Sequence, residues 1–243
     1  MKAALRDPLP WAAAALLALC LGMGHLKPLF AAAFPQLERP LYEQDSFTAL
    51  LLAHVQLVAL SSAASLLVGL AAAIFVTRAV GREFRGLVDT LVAAGQAVPP
   101  VAVLALAVPV IGFGQAPALV ALALYGLLPI VRGAIAGIEA VPGAARQAAL
   151  GLGFSAAAML WRVELPLAST ALLAGVRTSV GINIGTAAIA STVGAKTLGS
   201  PIIVGLSGDN TAYVLQGAAV LGLLAWVVDM LFARLAQRWP QRG

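Results

Sequence analysis

The reactive side chains of this sequence do not form a common catalytic pattern. Cysteine and histidine occur only as Cys20, His25 and His54, which are too few and too scattered for a metal site. No glycine-rich loop ending in Lys-Ser or Lys-Thr is present to hold a phosphate, and no serine or cysteine stands in a nucleophile motif. We therefore expect no catalytic residue, metal or cofactor in this chain, and its single cysteine can form no internal disulfide.

The composition is that of a membrane protein. Hydrophobic residues make up 61% of the 243 residues and charged residues only 10%, whereas soluble domains carry roughly 25% charged residues. Residues 1–243 are predicted to form a single transmembrane domain, so any soluble ligand-binding or energy-coupling part must be another chain. We interpret His25 and His54 as polar residues at the membrane interface. The net charge of +5 does not by itself indicate nucleic-acid binding.

Six apolar runs are long enough to span a bilayer, which takes about 20 mostly apolar residues in a helix. The predicted fold class is therefore an all-α integral membrane bundle of six helices. The first run follows basic residues, as in a signal peptide, but no small-residue cleavage site precedes a soluble domain, so we predict a retained helix. The second run is long enough to begin as an interfacial helix near His54. The runs are Leu9–Met23, a helix within Leu50–Thr77, Leu87–Gly112, Ala116–Ile138, Ala168–Ser191 and Ala212–Leu235.

Basic residues are distributed unequally between the two sides of these helices. With the N-terminus inside, eleven lysines and arginines fall on the cytoplasmic side and three, Lys27, Arg39 and Lys196, on the outer side. Cytoplasmic loops carry the excess of Lys and Arg, so both termini and the loop 139–166 are predicted to be cytoplasmic. The eleven residues are Lys2, Arg6, Arg78, Arg82, Arg85, Arg132, Arg146, Arg162, Arg234, Arg238 and Arg242.

Two consecutive prolines interrupt the third apolar run. Pro99 and Pro100 remove two backbone donors and must kink or break the helix. Freed carbonyls at membrane depth are tolerated only against protein or a watery cavity. Two interpretations remain open: a broken helix that lines a solute path, with Gln96 as a polar contact, or a simple kink in a bundle helix.

The fifth run contains polar residues that a bilayer disfavours. Arg177 is a functional candidate because a charge at the bilayer centre costs about 2.5–3.5 kcal/mol, although it can instead extend to the cytoplasmic face. Asn183 lies between Gly181 and Gly185, whose spacing permits close helix approach. Asn183 either forms an interhelical hydrogen bond or lines a path, and Thr186 is a second candidate for the lining.

The segment Ala195–Tyr213 contains an apolar run too short to span a membrane. Its glycines, proline and serines favour an outward-facing hairpin or a re-entrant piece over a helix of full length. Such a segment either contacts a soluble delivery protein or closes the outer mouth, or it is a simple surface connector.

The cytoplasmic segment 142–166 resembles the EAA loop of ATP-binding-cassette importer permeases. That pattern is roughly Glu-Ala-Ala, three residues, Gly, nine residues, then Ile-x-Leu-Pro, and every spacing is kept in this sequence. Gln replaces the usual Glu and Val replaces Ile, so an ion pair with the ATPase through the first position is not expected in this subunit. The resemblance implies that the segment couples to an ATPase through Gln147, Ala148, Ala149, Gly151, Gly153, Val163, Leu165 and Pro166.

Two further segments, Gly95–Gly114 and Gly175–Leu206, resemble the osmoprotectant branch of these permeases, and within it the Yeh-type betaine permeases. The resemblance implies a type I importer fold in a bacterial inner membrane. It also implies import of quaternary ammonium solutes such as glycine betaine, choline and carnitine. The implied partners are a cytoplasmic ATPase that binds ATP and Mg²⁺, a periplasmic binding protein and a second permease subunit.

The sequence therefore predicts a permease subunit that forms the translocation path and leaves ATP hydrolysis to a partner chain. The nearest alternative is a permease for another small solute, such as methionine. A secondary transporter would need a paired intramembrane carboxylate or an inverted repeat, and the predicted spans contain no Asp or Glu near mid-membrane. A membrane scaffold would leave the proline-interrupted helix and the folded loop unexplained.

Overall fold

The computed structural model describes residues 7–238, and all regular structure within them is helical. Lys2, Arg6 and Arg242, three of the residues used to predict orientation, lie outside the described residues, as does the side chain of Arg238. In the described part, five helices are long and apolar enough to cross a membrane, and a sixth span results if one bent pair is counted as a single span. The predicted all-α membrane fold is confirmed.

The helices follow the predicted runs closely. A π-helical segment Leu160–Glu164 and the 3₁₀ turns Met23–Leu26, Arg82–Phe84 and Ala188–Val193 join some of them. In chain order, the α-helices are α1 (Pro8–Gly22), α2 (Lys27–Ala33), α3 (Phe47–Thr77), α4 (Arg85–Ala97), α5 (Pro100–Ile111), α6 (Gln115–Glu139), α7 (Gly143–Gly151), α8 (Ala156–Met159), α9 (Leu165–Ala187), α10 (Ser200–Ser207) and α11 (Thr211–Arg238).

The third apolar run is broken into two helices at its prolines. Helix α4 ends at Ala97, and α5 begins at Pro100 with the pair bent by 93°. The carbonyl of Pro99 accepts hydrogen bonds from the amides of Ala102 (2.9 Å) and Val103 (3.2 Å), so the break supplies the first acceptor of α5. Proline suits the first position of a helix because the amide hydrogen that it lacks would have no partner there. The run is therefore a broken helix and not a simple kink.

The chain forms two compact units. Unit 1 contains the described residues up to Ser61, together with Pro99–Leu122 and Gly181–Leu231. Unit 2 contains Ser62–Val98, Ala123–Val180 and the end of α11. The core of unit 2 is a buried aliphatic cluster drawn from α3, α4 and α6, consisting of Ala73, Val76, Val92, Val131, Ala134 and Ile135.

Helices α6 and α9 approach closely within unit 2 because each helix has a glycine that faces the backbone of the other helix. A Cβ atom at Gly175 would lie 2.5 Å from the carbonyl oxygen of Pro129, and one at Gly137 would lie 2.7 Å from that of Ala168. The close approach that we predicted at Gly181 and Gly185 is wrong for this chain, because no described atom would lie within 4 Å of a Cβ at either. Spacing by four residues permits such contact, but only the rotation of the helix decides whether the glycines face a neighbour.

In unit 1, the loop 34–46 is fixed by side-chain amides. Gln216 on α11 donates to the carbonyl of Pro40 (2.7 Å) and accepts from the amide of Tyr42 (3.0 Å). Asn210 donates to the carbonyl of Arg39 (2.9 Å). These bonds satisfy the backbone groups of a loop that has no regular structure of its own. The predicted short segment Ala195–Tyr213 contains helix α10, which is too short to span.

Candidate functional site

The segment that matches the EAA pattern folds as two short helices joined by a glycine turn. We call residues 143–166 the coupling segment. Helix α7 ends in a Schellman turn, in which the amide of Phe154 donates to the carbonyl of Ala149 (3.0 Å) and the amide of Gly153 to that of Leu150 (2.9 Å). Gly153 has a φ of +77°, which disfavours residues that carry a Cβ. The glycine of the pattern is therefore required by the backbone of this turn. Ser155 then caps α8 by accepting from the amide of Ala158 (3.2 Å).

One side of the coupling segment is exposed and apolar. Leu150, Leu152 and Trp161 have relative exposures of 63%, 76% and 65%. Gln147 and Ala148 on α7 are also exposed. Leu150 and Leu152 lie outside the candidate spans, whereas Trp161 falls within the span Ala156–Val193. Exposed apolar side chains outside the spans are typical of a protein–protein contact, and these two leucines lie on the segment that the sequence predicts to contact an ATPase.

The other side of the coupling segment packs against its own unit. Ala149 and Met159 are buried, and Glu164 is buried although it carries a carboxylate. Glu164 Oε2 accepts from Arg78 Nη2 at 2.6 Å, and Glu164 Oε1 lies 3.1 Å from Arg146 Nε. The second contact has ion-pair distance without hydrogen-bond alignment, since Arg146 Nε has no hydrogen-bond partner.

A charged cavity of about 330 Å³ lies beside this ion-pair group, within unit 2. Residues at the ends of α3 and α6 line it, and Arg85 donates to Glu139, with Nη2 3.0 Å from Oε2. The cavity therefore contains two ion-paired arginines, Arg85 and Arg146, and a third arginine, Arg82. Its lining residues are Val76, Thr77, Arg82, Arg85, Ile138, Glu139, Arg146 and Glu164.

The residues predicted to line a path are divided between the two units. Gln96 and Arg177 belong to unit 2, whereas Pro99, Pro100 and the pair Asn183 and Thr186 belong to unit 1. Gln96 and Arg177 are half-buried, and Gln96 Nε2 lies 3.4 Å from the carbonyl of Tyr125. The lining role of these residues stays a prediction.

Asn183 is fully buried on α9 and reaches helix α3. Its Nδ2 lies 3.5 Å from Ser61 Oγ, at the outer limit of a hydrogen bond. The hydroxyl of Ser61 donates to the carbonyl of Val58 on its own helix (3.1 Å). Thr186, three residues further along α9, is half-buried. The structure thus contains the interhelical contact that was one of the two interpretations of Asn183.

The interpretation of His54 as an interface residue is wrong. Helix α3 runs without interruption from Phe47, and the His54 side chain is fully buried within unit 1. The amide of Leu198 donates to Nδ1 (3.3 Å), so Nε2 carries the proton and donates to the carbonyl of Ile184 (3.1 Å). His54 thereby joins α3 to α9 and to the hairpin before α10. One signal could have revealed this role: His54, Ser61 and Ser65 stand seven and four residues apart, which places them on one face of the helix.

His25, in contrast, is exposed, as the sequence interpretation requires. No group of three or more His, Cys, Asp or Glu side chains within residues 7–238 is arranged to hold a metal ion.

Tyr42 centres an aromatic cluster in unit 1. Its ring lies edge-on to Phe47 at 6.1 Å and to Tyr213 at 5.5 Å between centroids. Burial, and then the negative charge of Asp45 and the neighbouring Tyr213, raise the pKa of the Tyr42 phenol. Tyr42 and Phe47 are nearly covered by protein, whereas Tyr213 is half-buried, so the cluster mainly stabilises the loop 34–46.

Comparison with known proteins agrees with the fold. The chain is 39% identical over 185 residues to the osmoprotectant import permease protein OsmY of Salmonella typhimurium, covering 76% of this chain and 78% of that protein. It is 37% identical over 148 residues to the choline transport system permease protein OpuBB of Bacillus subtilis, covering 61% and 68%. An inward-facing structure of the MetNI methionine ABC transporter has the same fold, with a TM-score of 0.70 at 18% identity over 82% of this chain and all of that chain.

Residues 65–241 match the family described as the inner membrane component of binding-protein-dependent transport systems. The matched range includes the whole coupling segment and the interrupted α4–α5 pair. With its membrane-spanning helices, its folded loop and this match, the chain belongs to the family of binding-protein-dependent transport system inner membrane components, and it is a multi-pass membrane transport subunit.

Proposed function

We propose that this chain is the permease subunit of an ATP-driven importer for quaternary ammonium osmoprotectants such as glycine betaine. The solute class is supported by the two relatives named above, whose own names specify osmoprotectants and choline. The structural likeness to a methionine transporter, at 18% identity, supports the fold alone. Import of methionine or another amino acid is therefore the weaker alternative.

The observation that carries the coupling role is the two-sided construction of the coupling segment. Its exposed side carries Leu150, Leu152 and Trp161, while its buried side is held by the ion pairs of Glu164. A surface that is apolar and exposed, on a support that is fixed, suits docking of a partner protein. We propose that the partner is a cytoplasmic ATPase that binds ATP and Mg²⁺, so that this chain itself hydrolyses nothing.

The remaining parts of the system follow from this role. We propose a second permease subunit that completes the path and a periplasmic binding protein that delivers the solute. Both termini would then be cytoplasmic in a bacterial inner membrane, in agreement with the excess of basic residues on that side. Selection of quaternary ammonium groups is assigned to the binding protein, because an aromatic cage is the usual recognition device and two of the three rings in the Tyr42 cluster of this chain are nearly covered by protein.

Two exposed residues on the same side of the protein test the docking surface. Leu152→Asp places a charge in the middle of the apolar patch, and we expect it to reduce the amount of ATPase that copurifies with the chain and to abolish solute uptake. Val80→Asp is the matched control, because Val80 is 83% exposed but lies outside the coupling segment. Equal ATPase recovery with both variants would refute the docking assignment.

The solute is tested with proteoliposomes that contain the whole complex. Labelled glycine betaine and choline are expected to accumulate when ATP is enclosed with the ATPase and the binding protein is supplied on the opposite side. Accumulation of methionine and not of betaine would replace the proposed solute class and leave the coupling assignment in place.

A further inference from the structure

Glu164 is unusual among the charged residues of the coupling segment because it is only 4% exposed. It ends the π-helical segment and stands directly before Leu165, where α9 begins. A buried carboxylate must be paired, since an isolated charge away from water is very costly. Its partners show what the residue connects.

The two arginines that face Glu164 come from different elements. Arg78 directly follows α3, and its Nη2 donates to Glu164 Oε2 at 2.6 Å. Arg146 lies on α7, next to Gln147 of the coupling pattern, and its Nε is 3.1 Å from Glu164 Oε1. The same arginine donates from Nη2 to the carbonyl of Ile138 at 2.6 Å, near the end of α6. One carboxylate and two guanidinium groups therefore join four elements: the end of α3, the end of α6, α7 and the start of α9.

Stability alone does not account for such a group. Replacing a buried ion pair with apolar residues of similar volume is often neutral or stabilising. Aliphatic side chains such as Val76 and Ile138 already lie around the cavity. The ion pairs add geometric specificity, because a carboxylate that lies between two guanidinium groups can satisfy both in only a few arrangements. Displacement of α7 would move the Arg146 side chain, which is 34% exposed, away from the buried carboxylate of Glu164 unless its partners moved with it.

We infer that Glu164 is a positioning residue, which holds α7 to the ends of α3 and α6 so that displacement of the coupling segment is passed to the membrane helices. This inference rests on the proposed function, because the displacement is the one that a docked ATPase would impose. Glu164 itself is buried and is not part of the surface that contacts the ATPase. It acts through Arg78 and Arg146.

A spin label on α7 tests the positioning role without any partner protein. The full chain carries Cys20→Ala and a single labelled cysteine, either Ala148→Cys on the exposed side of α7 or Leu206→Cys on α10 in unit 1. Glu164→Gln should increase label mobility at position 148 and leave it unchanged at position 206. The control Glu43→Gln breaks an exposed Lys27 ion pair of 3.0 Å in unit 1 and should change neither label.

The complete complex then gives the functional readout. With Glu164→Gln, we expect ATPase recovery within about twofold of wild type, and solute taken up per ATP hydrolysed to fall by about tenfold, the scale of losing one charge-assisted hydrogen bond. Arg146→Gln should also lower the solute taken up per ATP. Both changes remove the contact between Arg146 and Glu164, whereas only Glu164→Gln removes the Arg78 bond and only Arg146→Gln removes the Ile138 bond. The double variant should therefore lose less than the sum of the two single losses.

The two hypotheses fail in different ways. The positioning role is overturned if Glu164→Gln leaves the mobility of the label at position 148 unchanged, or if it raises label mobility equally at positions 148 and 206. A wild-type chain that recovers no ATPase refutes the proposed coupling, while the label experiment still decides whether Glu164 fixes α7.

Discussion

Replacing His54 by leucine tests whether a single buried histidine holds three elements of unit 1 together. Leucine has a similar volume and is apolar, so the change removes both hydrogen bonds with little change in packing. The amide of Leu198 loses the partner at 3.3 Å, and the carbonyl of Ile184 loses the donor at 3.1 Å.

The magnitude follows from these two losses. A buried amide left without an acceptor costs about 1–3 kcal/mol, and loss of an ordinary hydrogen bond costs about 0.5–1.5 kcal/mol. The free energy of unfolding is therefore expected to fall by about 1.5–4.5 kcal/mol. Hydrogen bonds between membrane helices average only about 0.6 kcal/mol in double-mutant cycles. A measured loss of about 1.5–4.5 kcal/mol would therefore indicate that most of the cost comes from the unpaired amide of Leu198.

Reversible unfolding in mixed micelles, followed by circular dichroism, measures this free energy. His25→Leu is the matched control because His25 is exposed, and surface substitutions usually change stability by no more than about 0.5 kcal/mol. His54→Gln can retain a donor towards Ile184 and should be less damaging than leucine. A His54→Leu protein as stable as the His25→Leu protein would refute the stabilising role of the two His54 hydrogen bonds.

Three further predictions concern packing, coupling and pH. Gly175→Leu should lower the free energy of unfolding by about 3 kcal/mol, the upper range for overpacking, because its Cβ would collide with a carbonyl of α6. Thermal unfolding measures this loss. Gly222→Leu is the control in the same assay, because Gly222 is exposed and has open space around it. Gln147→Glu should be tolerated, since Gln147 is exposed, and should increase ATPase recovery; complete loss of assembly would contradict the alignment with the EAA pattern. The pKa of Tyr42 is raised in the folded protein, so the contribution of Tyr42 to the free energy of unfolding is constant below about pH 10 and is lost as the pH rises through the higher folded pKa. Tyr42→Phe should remove this loss of stability at alkaline pH when unfolding is measured as a function of pH. The same pH profile in Tyr42→Phe as in the wild type would contradict this prediction.

Much of the coupling segment could be predicted because its signals are local. The spacing from Gln147 to Pro166 is a property of the chain alone, and the need for Gly153 follows from a turn made by its immediate neighbours. The break at Pro99 and Pro100 is local for the same reason, since proline removes a backbone donor wherever it stands.

The partners of buried polar residues could not be predicted in this way. His54 meets Leu198 at a separation of 144 residues, and Glu164 meets Arg78 at a separation of 86. Successive residues of a helix are rotated by about 100° around its axis. A small error in the predicted rotation of a helix about its axis therefore exchanges a buried position for an exposed one. Gly181 and Gly185 have the right spacing for helix contact but face open space, whereas Gly175 on the same helix makes the contact.

By itself, the sequence determined that this is an all-α membrane protein, which runs are long and apolar enough to span the bilayer and which segment matches the coupling pattern. Hydrophobic length and short-range spacing are sufficient for those conclusions, because the bilayer and the backbone impose them on each segment separately. The tertiary structure alone decided that His54 is an internal brace, that α6 and α9 touch through glycines and that Glu164 holds α7 between Arg78 and Arg146. Those contacts depend on the rotation and depth at which helices meet, which no single helix specifies.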